Sequence, residues 1–238
     1  MDCKELYTKM YDGLGQNLQK SLDSPLYPQI ASANAFIEDY SLWRNWITTK
    51  YGGEIFQLAA SEYETALLFS LQSLYKQAFT ALRACLEHTL FGIQLSTNLY
   101  QYLSWKQNTK DVYWSEITNN ETGLFSRNYI SLFFSNLVDD SSLILELAKR
   151  VYRECSEFTH GNYIAWKSLS ESAIYDENLL TKFLDLIKNV RYIIEFSFFV
   201  RFANEISASD LQTLEPQISE YLGHFKEVSH YLSDTRRS

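Results

Sequence analysis

Residues 141–161 read SSLILELAKRVYRECSEFTHG, and the phase of their side chains decides the fold class. At 100° per residue, Ile144, Leu147, Val151, Cys155 and Phe158 fall on one apolar stripe. Glu146, Lys149, Arg150, Arg153, Ser156, Glu157 and His160 fall on the opposite face. Such a stripe marks an amphipathic helix that must face a core made by other elements. Val138 to Ser142 offers N-cap candidates, and Gly161 stops the helix after Thr159.

Working outward, the helical rhythm continues in both directions. Residues 125–137 are expected to be helical, although a short apolar run such as Tyr129 to Phe134 also suits a strand. Residues 107–123 read as irregular, with a turn at Asn119-Asn120, and 98–106 as a short helix. Helices over 54–74 and 77–96 are joined by so short a connection that they should form an antiparallel hairpin. Further back, 28–50 is a helix carrying Phe36, Tyr40, Trp43 and Trp46, ended by Tyr51-Gly52-Gly53. Residues 2–22 form another, ended at Ser24-Pro25. Toward the C-terminus, Asp176 opens a long helix reaching about Ile206, and Pro216 opens a last one to about Asp234. The expectation is an all-α chain, an antiparallel bundle of about eight helices. It forms a single domain over 1–238, with N-terminal helices in 1–50, a core in 54–206 and a C-terminal helix in 216–234.

Composition agrees with that class. Hydrophobic residues make up 46% and charged residues 21%, which excludes disorder, and three prolines and eight glycines leave room for long helices. The 17 Tyr and 15 Phe suit large gaps between helices. A net charge of −8 gives no general basic footprint, so a nucleic-acid site must be a local basic patch on an acidic body. Cys3, Cys85 and Cys155 are odd in number and widely spaced, as expected of reduced thiols in the cytoplasm. The charged start Asp2-Cys3-Lys4-Glu5 does not read as a signal peptide. The most apolar run, Tyr192 to Ala203, is too short and too charged to span a bilayer.

The polar face of the 143–159 helix carries the chemistry. Arg153 and His160 are seven residues apart and nearly in line. Carbonyl dipoles at the helix C-terminus favour the imidazolium of His160, as does Glu157 one turn back. A histidine titrating near neutral pH suits general acid–base work, and an arginine suits phosphate. The two Cα atoms lie about 10 Å apart, from ~1.5 Å rise per residue, so one copy of the pair makes a sparse site and two facing copies a fuller one. Basic groups at a helix C-terminus also complement its dipole, so a merely solvated face is the competing reading.

The run Arg153-Glu154-Cys155-Ser156-Glu157-Phe158-Thr159-His160-Gly161 resembles the Arg-x(4–6)-His motif of HEPN domains, with six intervening residues. Tyr75-Lys76-Gln77-Ala78, followed by Leu82-Arg83 and Leu86-Glu87, resembles the hairpin of larger HEPN-like proteins of abortive-infection type. The resemblance covers roughly 54–161. It implies a HEPN-like core and a dimer whose Arg–His motifs meet in a cleft. It also implies metal-independent RNA cleavage, with His160 as acid or base and Arg153 on the phosphate. Lys149, Arg150 and Ser156 become candidates for binding the RNA. A toxin or phage-defence role follows, with an antitoxin or defence-system partner. Two positions depart from the pattern. Glu154 stands where many members carry Asn, Asp or His, and Tyr163 lies three residues after the histidine rather than two.

Other candidates are weaker. Arg83 and Glu87 are an i, i+4 pair among apolar residues, suited either to holding two helices in register or to supporting the helix that carries Arg153. Arg191 and Glu195 repeat the spacing in a helix that is apolar nearly all round, so the core, or a dimer contact, is their expected place. His88, His160, His224 and His230 lack metal-ligand spacing, and no P-loop, GxGxxG or nucleophile elbow is present. No cofactor or metal is expected. The alternative function is a non-catalytic helical interaction module, an adaptor or regulatory subunit.

Overall fold

The computed structural model describes residues 2–49, 53–111, 113–159 and 173–235. Every regular element among them is helical. In chain order they are α1 (Cys3–Leu22), α2 (Tyr27–Thr48), α3 (Glu54–Leu71), α4 (Tyr75–Leu95), α5 (Leu99–Lys106), α6 (Trp114–Ile117) and α7 (Arg127–Phe134). A 3₁₀ turn over Ser135–Asp140 leads into α8 (Ser141–Thr159). Then come α9 (Glu177–Phe202), α10 (Ala208–Leu222) and α11 (Lys226–Thr235).

The α3–α4 hairpin is the most closely packed pair. Its turn places Ser73 at φ 63°, in the left-handed region, and Leu74 N–H closes it on the Phe69 carbonyl at 2.8 Å. The helices touch because α4 carries Gly92 at the crossing. A Cβ there would meet Ile55 Cγ2 and the Phe56 ring at 2.7 Å. The last carbonyls of α3, which no helix can satisfy internally, accept from α1. Ser21 Oγ donates to the Leu71 carbonyl at 2.9 Å, and Asn17 Nδ2 to that of Gln72 at 3.5 Å. Asn17 Nδ2 also donates to the Ala173 carbonyl at 2.9 Å.

Helix α9 is the axis of the fold. The Asp176 side chain caps it, accepting from the backbone N–H groups of Asn178 and Leu179 at 2.9 and 3.1 Å. Its C-terminal half is buried on all sides, with α2, α4, α7, α8 and α10 around it. Phe198 meets Tyr40, Trp43 and Phe56, and Phe202 meets Trp46. One hydrophobic cluster extends from Leu26 to Leu232.

Arg191 and Glu195 are buried in this axis, and each turns to α2 rather than to the other. Arg191 Nη1 donates to the Ser32 carbonyl and to Ser32 Oγ. Glu195 Oε2 accepts from Trp43 Nε1 at 2.8 Å, while Oε1 is buried without a hydrogen-bond partner. Burial pushes the Glu195 carboxyl up to about 8, so it is mostly protonated at neutral pH.

The C-terminus departs from the expected single helix over 216–234. Helix α10 starts eight residues earlier than Pro216, at Ala208, with Ser207 Oγ accepting from Asp210 N–H at 3.2 Å. Pro216 sits inside it. The carbonyl four residues back, on Gln212, is in an exposed part of the helix, so water can serve the acceptor that proline leaves without a donor. The long helix also ends earlier than expected, at Phe202, where a 3₁₀ turn takes over.

Candidate active site on the polar face of α8

Helix α8 buries Ile144, Leu145, Ala148, Val151, Cys155 and Phe158 against α4 and α9. Leu147 is only partly buried, so the packed face is rotated toward Leu145 and Ala148 relative to the stripe drawn from sequence. Near its end, Phe158 stacks on Phe79 of α4 at 4.0 Å between centroids, with the Lys182 ammonium of α9 5.0 Å from the Phe158 ring. The last turn of α8 is therefore tied to both helices behind it.

The middle of α8 is fixed by a sandwich. Trp114 of α6 stacks on Tyr152 with centroids 4.0 Å apart and planes 7° from parallel. The Arg83 guanidinium lies 4.5 Å from the centroid of the same ring, and Arg83 pairs with Glu87 at 3.4 Å. With Trp114 occupying one face of Tyr152, the cation must occupy the other. Burial, and then the nearby Glu87 charge, hold the Tyr152 hydroxyl above its ordinary range, so it stays protonated. Sequence spacing pairs Arg83 with Glu87, but Trp114 and its place on Tyr152 escaped the sequence reading. A residue in a stretch read as irregular gives no periodic signal of what it touches.

The open face of α8 carries the candidates. Arg150 and Arg153 are exposed, and neither makes an ion pair with a described residue. Lys149 is half-buried between Glu146 Oε1 at 3.6 Å and Asn120 Oδ1 at 3.4 Å. Ser156 Oγ donates back to the Tyr152 carbonyl at 2.7 Å, which leaves it only acceptor capacity toward a ligand. His160, Gly161 and Tyr163 lie outside the described residues. Helix α8 thus brings Lys149, Arg150 and Arg153 onto one side of a firmly seated helix whose last described residue precedes His160.

Thiol chemistry has no footing nearby. Burial pushes Cys85 and Cys155 each up to about 12, so neither offers a thiolate at neutral pH. The described residues contain no cluster of His, Cys, Asp or Glu able to hold a metal ion. None of the described helices is long and apolar enough to cross a membrane. Comparison of the chain with protein-family models, curated proteins and solved structures finds no match.

Proposed function

We propose that the chain is a metal-independent endoribonuclease of HEPN type, acting as a homodimer in the cytoplasm as a toxin or phage-defence effector. The observation that carries this reading is the open basic edge of α8. Arg150 and Arg153 stand free of ion pairs with described residues, while Phe158 and the Tyr152 sandwich hold the helix from behind. A pre-positioned cation clamp is what phosphoryl chemistry without a metal requires.

In this reading the 2′-hydroxyl of RNA attacks the adjacent phosphorus and expels the 5′-oxygen. One His160 takes the hydroxyl proton, and the partner copy's motif protonates the leaving oxygen. Arg153 meets the charge on the phosphate, and Lys149 and Arg150 hold the flanking backbone. Two facing motifs supply the acid and the base that a single copy lacks. The test is purified protein with mixed cellular RNA, with and without EDTA, comparing wild type, Arg153→Ala and His160→Ala. Cleavage in EDTA that both variants lose is the expected result. Equal cleavage by wild type and His160→Ala overturns it. Light scattering should give a dimer, and a monomer at working concentration counts against the paired site.

A second reading, a non-catalytic interaction module, draws on α1. Its first half leaves the body of the protein and exposes Leu6, Met10, Tyr7 (63% exposed) and Tyr11 (76%). Inert RNA assays together with a stable bound protein partner would favour it.

A further inference from the structure

A chain of polar groups crosses the junction of α9, α2 and α10. It starts at Glu195 of α9, whose Oε2 accepts from Trp43 Nε1 of α2 at 2.8 Å. Gln217 Oε1 of α10 accepts from the same Nε1, also at 2.8 Å. Gln217 Nε2 donates in turn to Asp39 Oδ1 at 3.3 Å and to the Asp39 carbonyl at 3.2 Å. The chain ends where the Tyr221 hydroxyl of α10 donates to Asp39 Oδ2 at 3.3 Å. Glu195, Trp43 and Gln217 are all buried, and Leu211, Leu214, Ile218 and Leu222 bury the rest of this face of α10.

Donors and acceptors in the chain do not balance. Trp43 has a single N–H, yet Glu195 Oε2 and Gln217 Oε1 both draw on it. The Gln217 amide cannot turn to relieve this. Its nitrogen would then face the Trp43 N–H, and its oxygen the two Asp39 oxygens. Glu195 Oε1 is buried with no hydrogen-bond partner among the described residues. An ionised Glu195 would leave a half-paired carboxylate in the core, which is costly. A carboxylic acid at Glu195 supplies the donor that is missing.

The surrounding charges point the same way. Burial is the largest influence on the Glu195 carboxyl and raises it. The Trp43 hydrogen bond opposes the rise, while Asp39 of α2 and Glu220 of α10 add to it. Arg191, one turn back on α9, is engaged with Ser32 and stands 5.7 Å from the centre of the Tyr221 ring.

We propose that a proton on Glu195 latches α10 to the body of the protein, so that raising the pH releases this helix from α2 and α9. Gln217 and Tyr221 tie α10 to α2 through the chain, so the cost of an ionised Glu195 falls on the docking of α10. The docked state holds a proton that the released state, with Glu195 in water, gives up. Release therefore becomes easier as pH rises from the ordinary carboxylate range toward the raised one, by about tenfold per unit for one proton. The inference does not depend on the ribonuclease reading.

The test is hydrogen exchange of the full chain, read by mass spectrometry from about pH 5 to pH 8 with the intrinsic pH dependence of exchange divided out. Peptides from α10 should open more often than those of the α3–α4 hairpin, and about tenfold more with each pH unit. In Glu195→Gln the amide offers a donor at every pH, so α10 should stay closed across the range. Infrared difference spectra of wild type against Glu195→Gln near neutral pH should show a protonated-carboxyl band in the wild type alone. Wild-type exchange in α10 that is flat with pH overturns the latch, and so does an absent band. Equal protection of α10 and the hairpin at every pH also overturns it, because the helix then leaves only with the whole fold. A rise that survives Glu195→Gln assigns the proton to another group, such as Asp39, and overturns it as well.

Discussion

Helices α8 and α9 both carry arginine and glutamate at helical spacing, yet they use them in opposite ways. On α9, Arg191 and Glu195 are sealed in the core and serve α2, one through Ser32 and the other through Trp43. On α8, Arg150 and Arg153 face outward beyond an apolar stripe. Burial makes the difference. A charge held in low dielectric must be neutralised or hydrogen-bonded and becomes part of the scaffold. A charge on an open face of a fixed helix remains available to a ligand. Charge spacing alone does not distinguish the two helices; the width of the apolar arc does.

The comparison breaks most visibly in catalysis. Arg153→Ala and His160→Ala should each lower RNA cleavage by about 10²–10⁴, as loss of a transition-state charge or a general acid–base does. Circular dichroism should be unchanged, because the Arg153 side chain fills no core space. A matching loss of helicity would place Arg153 with the scaffold after all.

Phe158→Ala tests the other side of α8. It deletes the stack on Phe79 and opens the core behind the last turn. The expected cost is about 3–5 kcal/mol in urea denaturation, as for other buried aromatic truncations. A cost under about 1 kcal/mol would mean that α8 is not anchored there.

Glu195 gives the next effect, and its sign is fixed by burial. Its carboxyl rises from an ordinary 4.5 to about 8 in the fold. The folded state therefore holds a proton that the unfolded chain has released. Stability is fully present below about 4.5 and is lost as pH rises toward 8. Asp39, also raised by burial, acts in the same direction. Glu195→Gln keeps an acceptor for Trp43 and removes the titration. Its unfolding free energy from urea denaturation should exceed that of wild type at pH 8 by an amount on the order of a few kcal/mol, and differ less at pH 5. Parallel pH profiles for the two proteins would refute the buried titration.

The smallest effect belongs to Lys149. Its bridge to Glu146 is 3.6 Å long, with the Glu146 side chain 74% exposed, so Lys149→Ala should change stability by less than about 0.5 kcal/mol. It should still weaken RNA binding and reduce the salt dependence of that binding by about one unit of slope. Filter binding at two ionic strengths measures both.

Much of this contrast was legible in the sequence because helical phase reports which face is buried. It placed Val151, Cys155 and Phe158 inside and Arg153 outside, and it identified Asp176 as a helix start. Phase does not report the partner. Trp43 and Glu195 are 152 residues apart, and Ser32 and Arg191 are 159 apart, so their pairing is a property of the assembled core. Pro216 misled because an interior proline is tolerated where solvent serves the abandoned carbonyl. The Tyr152 sandwich draws on residues 110–129, where short helices and turns leave no period to follow.

The clasp that Asn17 and Ser21 make has a consequence for synthesis. Helix α1 is synthesised before the carbonyls it caps. Leu71 follows Ser21 by 50 residues, and Ala173 follows Asn17 by 156. At roughly 5–20 residues per second, the last of these arrives about 8–30 s after its partner. Throughout that interval Asn17 lacks the Ala173 carbonyl, and α1 is held at its C-terminal end only by the α3 carbonyls. Chains stalled before residue 173 should therefore show faster amide exchange around Asn17 than completed chains do.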